Sequence, residues 1–133
     1  MAKILIVDDD ATFRSIVTDF LEMNGYECVV AGSVAQARRQ LKRNHFQLIV
    51  SDLNMPLESG LDLLSYVLSG YPFTPFIMMT ASYDEEARST ALRLGASAYL
   101  TKPFRLNEFL ASVMKVIGKC TAFDLPRMLW SQS

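Results

Sequence analysis

Acidic, hydroxyl and ammonium side chains follow four apolar runs of this chain. The run "ILIV" precedes three aspartates at positions 8–10, and "QLIV" precedes Ser51 and Asp52. Thr80 follows "FIMM", and Lys102 follows "AYLT". Carboxylates that are forced together repel one another, so their pKa values rise unless a cation compensates. If the fold brings these places together, the sequence predicts a carboxylate cluster that needs positive charge.

A divalent metal would compensate such a carboxylate cluster, and a phosphoryl group would account for the lysine beside it. Hard oxygen ligands favour Mg²⁺, which keeps several waters and is commonly bound by one or two carboxylates together with phosphate oxygens. Beside a metal, Lys102 is redundant for charge balance unless an anion also enters the site. The oxygens of a phosphoryl group can be shared among a metal, a lysine and a hydroxyl donor. The residue types therefore favour magnesium-dependent phosphoryl chemistry.

Alternating strands and helices are predicted to position these residues. Short apolar runs bounded by polar or turn residues indicate five strands, at 4–7, 28–31, 48–50, 76–79 and 98–100. Because strands and helices alternate and the strands are apolar on both faces, we expect an α/β fold: a three-layer α/β/α sandwich around a five-stranded parallel sheet. Ligands of such sheets bind beyond the carboxyl ends of the strands, which is where the four polar places would meet.

The helices between the strands are predicted from apolar spacing and from capping residues. Asn24-Gly25 supplies a stop for the first helix, and Gly95 a stop for the fourth. A hydroxyl that is followed three residues later by a polar side chain can form a reciprocal cap. Three pairs fit or approximate this pattern: Ser33 with Gln36, Ser59 with Asp62, and Ser82 with Glu85. A fifth helix is predicted on the stripe Leu106, Phe109, Leu110, Val113 and Ile117.

Length and composition limit the classes of protein to be considered. The 133 residues suit one domain, and 50% hydrophobic residues suit a packed globular fold. A net charge of −1 gives no bulk electrostatic reason to expect nucleic acid or a membrane as a partner. Cys28 and Cys120 have neither disulfide-framework nor zinc spacing, and the N-terminal apolar run is too short for a signal sequence. We therefore expect a cytoplasmic protein.

Four motifs in this order resemble the CheY-like receiver domain of two-component response regulators. They are "ILIVDDD", "LIVSDLNMP", "IMMTAS" and "AYLTKPF", and the resemblance covers about residues 3–118. It implies a flavodoxin-like (βα)5 fold with strand order 2-1-3-4-5. It also implies a phosphorylation-controlled signalling domain, which is not an enzyme beyond accepting and slowly losing its own phosphoryl group.

The resemblance assigns roles to the residues at the strand ends. Asp52 resembles the phosphoacceptor, and Lys102 the lysine that holds a phosphoryl oxygen. Asp9 resembles a direct Mg²⁺ ligand and Asp8 a ligand through water, with Asp52 and the backbone carbonyl of Asn54 completing the set.

A second group of residues resembles the family's switch. Thr80 resembles the hydroxyl that moves toward the phosphoryl group, and Tyr99 the aromatic that turns inward when it does. Asp10 lies outside the family's acid pair, so we expect it to cap the first helix. Where receivers often carry Asp-Gly, this chain has Ser59-Gly60, which we expect to serve helix capping and to leave the chemistry intact.

Partners and domain limits follow from the same resemblance. The expected phosphoryl donor is a sensor histidine kinase or a phosphotransfer protein, and the switched surface is helix four, strand five and helix five. An effector, an output domain or a second copy of the chain would bind that surface, without direct contact of this segment with nucleic acid or membrane. We expect a receiver domain at 1–118 and a tail or linker at 119–133.

Two other functions remain alternatives at this stage. A receiver-like interaction module would not need phosphate, but the full acidic, hydroxyl and lysine set disfavours it. A phosphohydrolase of the haloacid dehalogenase type also uses an aspartyl nucleophile, a threonine and a lysine. That family expects Asp-x-Asp at the nucleophile, whereas this chain has Asp52-Leu53-Asn54.

Overall fold

Five strands and five helices alternate along residues 2–120, as predicted. The computed structural model describes residues 2–120, so the predicted tail lies outside the described residues from residue 121 onward. The strands are β1 Lys3–Val7, β2 Glu27–Ala31, β3 Leu48–Asp52, β4 Phe76–Thr80 and β5 Ala98–Thr101. The helices are α1 Ala11–Met23, α2 Val34–Arg43, α3 Gly60–Gly70, α4 Glu85–Arg93 and α5 Leu106–Cys120. None of the helices in this range is long and apolar enough to cross a membrane.

The five strands form one parallel sheet in the order β2-β1-β3-β4-β5, which confirms the expected topology. Val7 pairs with Ser51, and Asp52 pairs with Met79. Thr80 at the end of β4 pairs with Thr101 at the end of β5. The register therefore brings the polar residues that end β1, β3, β4 and β5 to one edge of the sheet.

Two hydrophobic cores, one on each face of the sheet, make the fold a three-layer sandwich. Successive side chains of a strand point to opposite faces, so β1 divides its apolar residues between the two cores. Ile4 and Ile6 pack with residues of α1 and α5, whereas Leu5 and Val7 pack with residues of α2, α3 and α4. Val116 of α5 belongs to the first of these cores and was missing from the predicted stripe.

Most predicted helix boundaries hold, and one is wrong. Ser59 forms the predicted capping box of α3 with Asp62, and Asp10 caps α1 by accepting hydrogen bonds from the first-turn amides. The predicted start of α4 at Ser82 is incorrect, because Asp84 is the N-cap and accepts from the backbone N–H of Glu86. The Ser82 N–H instead donates to the Thr80 side chain, 3.2 Å away.

Leu57, in the loop between β3 and α3, has a backbone conformation that is unfavourable for leucine. Its φ is 71° and its side chain is fully exposed. A left-handed backbone costs an L-residue with a Cβ roughly 1–2 kcal/mol, and asparagine tolerates it better. We therefore expect Leu57→Asn to raise the free energy of unfolding in urea by about 0.5–1 kcal/mol. Leu57→Ala removes the same exposed side chain but keeps the strain, so an equal gain in Leu57→Ala would contradict this explanation.

Candidate functional site

The carboxyl end of β1 holds Asp8 rigidly at the edge of the sheet. Asp8 is fully buried, and its backbone N–H donates to the Ala31 carbonyl at 3.1 Å. Its Oδ1 accepts from the Asp10 N–H at 2.9 Å, and its carbonyl accepts from Arg14 Nη1 at 2.9 Å. Side chain and backbone of Asp8 are therefore both anchored, which suits a group that must present one carboxylate oxygen in a fixed direction.

Three carboxylates meet at this edge. Asp8, Asp9 and Asp52 each offer an oxygen, and these oxygens lie within 4.8 Å of one another. Asp8 and Asp52 are buried, whereas Asp9 is exposed. An all-oxygen donor set that is open on one side suits a hard cation that retains waters, so the residues present fit Mg²⁺. The acidic cluster could hold a metal ion.

Lys102 supplies positive charge to the cluster. Its Nζ lies 2.8 Å from Asp8 Oδ2 and 3.8 Å from Asp52 Oδ1, and its side chain is only 16% exposed. The Lys102 backbone N–H donates to the Thr80 carbonyl at 2.7 Å, which fixes the segment after β5 against the end of β4. The peptide bond from Lys102 to Pro103 is cis. One ammonium faces three carboxylates, so the cluster retains net negative charge.

Burial, together with the neighbouring charges, makes Asp52 harder to ionise. The pKa of Asp52 is raised from 3.8 to about 6, chiefly by burial, and the carboxylates of Asp8 and Asp9 contribute to this rise. The ammonium of Lys102 and a hydrogen bond from the Leu53 backbone act in the opposite direction without cancelling the shift. Because the ionised form of Asp52 is disfavoured in these surroundings, an additional cation would stabilise it.

Gly60, at the start of α3, allows the loop after β3 to return directly against Asp52. A Cβ at this position would overlap the Asp52 carbonyl oxygen and lie 2.8 Å from Met78 Sδ. The Gly60 N–H donates to the Leu53 carbonyl at 2.8 Å, so the approach is fixed by a hydrogen bond. Gly60 therefore contributes to the position of Asp52 as well as to the helix start that the sequence indicated.

Thr80 and Asn54 are joined beside the carboxylates. Asn54 Nδ2 donates to the Thr80 hydroxyl at 3.2 Å, and the Ser82 N–H donates to the same oxygen at 3.2 Å. The Thr80 hydroxyl donates in turn to the Ser82 carbonyl at 3.0 Å. Thr80 is fully buried, and three hydrogen bonds to Asn54 and Ser82 hold its hydroxyl in place.

The Tyr99 side chain is turned toward the protein, with its ring against the core that α2, α3 and α4 cover. Its hydroxyl is buried and has no well-formed hydrogen bond among residues 2–120. Burial raises the pKa of Tyr99, the Asp84 carboxylate adds to the shift, and the nearby Thr80 hydroxyl opposes it. Tyr99 lies on β5 beside Met78 of β4, two residues before Thr80 on that strand.

The structure brings the predicted residues into one region. Asp8, Asp9, Asp52 and Lys102 form a contiguous charged cluster, and Asn54 contacts Thr80. The roles predicted for them, including metal binding by the Asn54 carbonyl, stay predictions. Sequence reasoning did not identify the contact from Arg14 to the Asp8 carbonyl or the close approach of Gly60 to Asp52. Neither could be read from spacing, because both depend on how a helix start packs against a strand end.

Comparisons with known proteins identify the family. Residues 4–114 match the model of the response regulator receiver domain. The response regulator protein FleR of Pseudomonas aeruginosa is 38% identical over 114 residues, which are 86% of this chain and 24% of FleR. The transcriptional regulatory protein CpxR of Escherichia coli K12 is 38% identical over 119 residues, 90% of this chain and 50% of CpxR. The chain thus spans about a quarter to a half of these curated relatives.

Solved structures agree with the sequence relatives. A CheY-like receiver domain protein from Methanospirillum hungatei JF-1 has a TM-score of 0.88 and 27% identity, and the match covers 92% of this chain and 98% of that one. The chemotaxis protein CheY4 of Vibrio cholerae has a TM-score of 0.82 and 34% identity, with 87% and 98% covered. The chain belongs to the response regulator receiver domain family, the signalling domains of two-component systems.

Proposed function

We propose that the chain is a phosphorylation-controlled switch in which Asp52 accepts a phosphoryl group. The observation that carries the proposal is the placement of Asp52 within 4.8 Å of the carboxylates of Asp8 and Asp9, with the Lys102 ammonium 3.8 Å from Asp52 Oδ1. A carboxylate in these surroundings can act as a nucleophile toward phosphorus, because a metal and an ammonium can bind the oxygens on which negative charge gathers.

The proposed reaction is one in-line transfer. An Asp52 carboxylate oxygen attacks the phosphorus of a phosphohistidine on the partner, and the O–P bond forms while the P–N bond breaks. The imidazole nitrogen takes the electron pair of the broken bond. Lys102 would bind a phosphoryl oxygen, which its distance of 3.8 Å from Asp52 Oδ1 supports, and the close approach of Gly60 to the Asp52 carbonyl would keep Asp52 in position. Bound Mg²⁺ would neutralise developing negative charge.

The switch that we propose uses Thr80 and Tyr99. Turning toward Asp52 would require the Thr80 hydroxyl to leave its three hydrogen bonds to Asn54 and Ser82. Tyr99 adjoins the space that Thr80 would leave, and it lies on β5, which pairs only with β4 within the described sheet. Movement of this pair would alter the surface of α4, β5 and α5, where we place the effector, output-domain or homodimer contact.

The partners are assigned by the same proposal. A sensor histidine kinase or a phosphotransfer protein would supply the phosphoryl group, because an aspartate acceptor needs a high-energy donor. The relatives FleR and CpxR are named as a response regulator and a transcriptional regulatory protein, so an output domain in the same polypeptide is one form that the effector could take.

The test is intact-protein mass spectrometry after incubation with Mg²⁺ and acetyl phosphate. We expect the wild type to gain one phosphoryl group, and Asp52→Ala to gain none because the nucleophile is missing. When EDTA replaces Mg²⁺ during the incubation, no label should form, because the cluster needs the metal to accept further negative charge. No gain by the wild type, while a known receiver in the same tube is labelled, would overturn the proposal and favour a phosphate-independent interaction module.

A further inference from the structure

The Lys102 ammonium has an aromatic partner in addition to the carboxylates. Its Nζ lies 3.9 Å from the centroid of the Phe13 ring. Phe13 is in the first turn of α1, three residues after the capping Asp10. A cation at this distance over a ring face is attracted by the ring quadrupole, and the attraction strengthens as water is excluded. With its side chain 16% exposed, Lys102 is largely shielded from water.

The ring under Lys102 is itself held in place by other aromatic rings. Phe13 meets Phe104 edge to face, with centroids 5.9 Å apart and planes at 81°. Phe104 stacks on Phe109 at 5.2 Å and 21°, and Phe109 is fully buried in the core beneath α5. A chain of three rings therefore runs from the core under α5 to the charged site, and it fixes the ring orientation that Lys102 meets.

The carboxylates that contact Lys102 are the same groups that would bind a metal ion. Asp8 Oδ2, at 2.8 Å, belongs to the same cluster that would bind a metal, and so does Asp52. A cation that enters the cluster weakens the hold of these oxygens on the ammonium, because the same negative charge is then divided between two positive groups. The Phe13 ring does not change its charge, so its attraction for the ammonium persists.

We propose that Phe13 is a positioning residue that holds the Lys102 ammonium at the site while the carboxylates are engaged elsewhere. The inference rests on the proposed function and deepens it. An ordinary core role would require only apolar volume at position 13, which leucine or methionine supplies. The positioning role requires an aromatic face, so the two roles predict different results for substitutions of similar size.

The first test compares rate constants for phosphorylation by acetyl phosphate at saturating Mg²⁺. We expect Phe13→Leu to be roughly three- to tenfold slower than the wild type, and Phe13→Tyr to stay within about twofold because it keeps the ring face. In a Lys102→Met background, Phe13→Leu should change the rate by less than about twofold, since a residue that acts through Lys102 has nothing left to position. Additive losses in the double variant would overturn the inference.

Fluorination of the ring separates electrostatics from packing if Phe13→Leu folds poorly. Incorporating 4-fluoro-, 3,5-difluoro- and 3,4,5-trifluorophenylalanine at position 13 weakens the ring quadrupole stepwise with little change of shape. The rate should fall with each fluorine, whereas the same series at Phe76, a buried ring in the core on the other face of the sheet, should leave it unchanged. A flat response at position 13 in a phosphorylated wild type would sink the inference and leave the proposed function standing. A wild type that accepts no phosphate would overturn both.

Discussion

Replacing Asp52 with asparagine is expected to stabilise the metal-free protein by about 2–3 kcal/mol at pH 8. The pKa of Asp52 is raised from 3.8 to about 6 in the folded protein, and each pKa unit corresponds to about 1.4 kcal/mol. The Asp52 side chain is only 10% exposed in the folded state, so burial disfavours its charge in the folded protein and not in the unfolded chain. The measurement is urea unfolding in EDTA.

The pH dependence of this effect has a definite sign. A carboxyl whose pKa is higher in the folded state favours folding when protonated, so its contribution to stability is lost as pH rises from about 4 through about 6. The gain from Asp52→Asn should therefore be greatest above pH 7 and should shrink toward pH 4. A gain that is independent of pH between 4 and 8 would contradict the assignment of the effect to Asp52 ionisation.

A matched control and a metal titration complete this experiment. Asp19 is an exposed carboxylate on α1, so Asp19→Asn makes the same chemical change with an expected effect within about 0.5 kcal/mol. Adding Mg²⁺ should stabilise the wild type, because a ligand that binds only the folded state shifts the equilibrium toward it. The shift should be smaller in Asp52→Asn, which lacks one of the proposed ligands.

Lys102→Met is expected to slow phosphorylation by acetyl phosphate by about 10²–10³, the usual range for loss of one charged or donor group that faces a transition state. The variant keeps a side chain of similar length but leaves the buried carboxylate of Asp8 without its partner at 2.8 Å. It should also be less stable in EDTA by about 3 kcal/mol or more, since an uncompensated buried charge remains.

Magnesium distinguishes a lost function of Lys102 from a damaged fold. Mg²⁺ should restore much of the stability of Lys102→Met, because it supplies the missing positive charge to Asp8 and Asp52. It should bind at least as tightly as to the wild type, since a competing cation has been removed. Lys102→Arg, which keeps the charge but not the compact ammonium, is the conservative control. A Lys102→Met rate within about threefold of the wild type would remove Lys102 from the proposed mechanism.

The alternation of elements and the shared edge of the charged residues were predictable from strand ends, whereas the strand order was predicted from the family resemblance. Parallel strands share one carboxyl edge, so residues that follow apolar runs must meet there, and Asp8, Asp52 and Lys102 do. Local capping was predictable where a single candidate was available, as at Ser59. It was mispredicted at Ser82, because Asp84 is a second competent cap two residues on and the Ser82 backbone is engaged by Thr80.

What the sequence did not reveal depends on distances between elements. Phe13 has the spacing of a core residue on α1, and its position over an ammonium that lies far along the chain cannot be derived from periodicity. The same holds for Gly60, whose need for a missing Cβ arises from the Asp52 carbonyl oxygen that it approaches. Periodicity reports which face is buried, but not which particular group lies opposite.

In the switch that we propose, the three hydrogen bonds of the Thr80 hydroxyl also set how often the unphosphorylated protein adopts the active arrangement. A hydrogen bond contributes a net stability of about 1 kcal/mol, so losing one to three of them without compensation corresponds to roughly one to fifteen per cent of molecules in the alternative arrangement at equilibrium. Under this proposal basal signalling would be low but measurable, and it would depend on the Asn54 side chain and the Ser82 backbone rather than on the phosphoryl donor. Because both bonds to Ser82 are made by its backbone, the side chain at position 54 is the one whose replacement would shift this proposed balance.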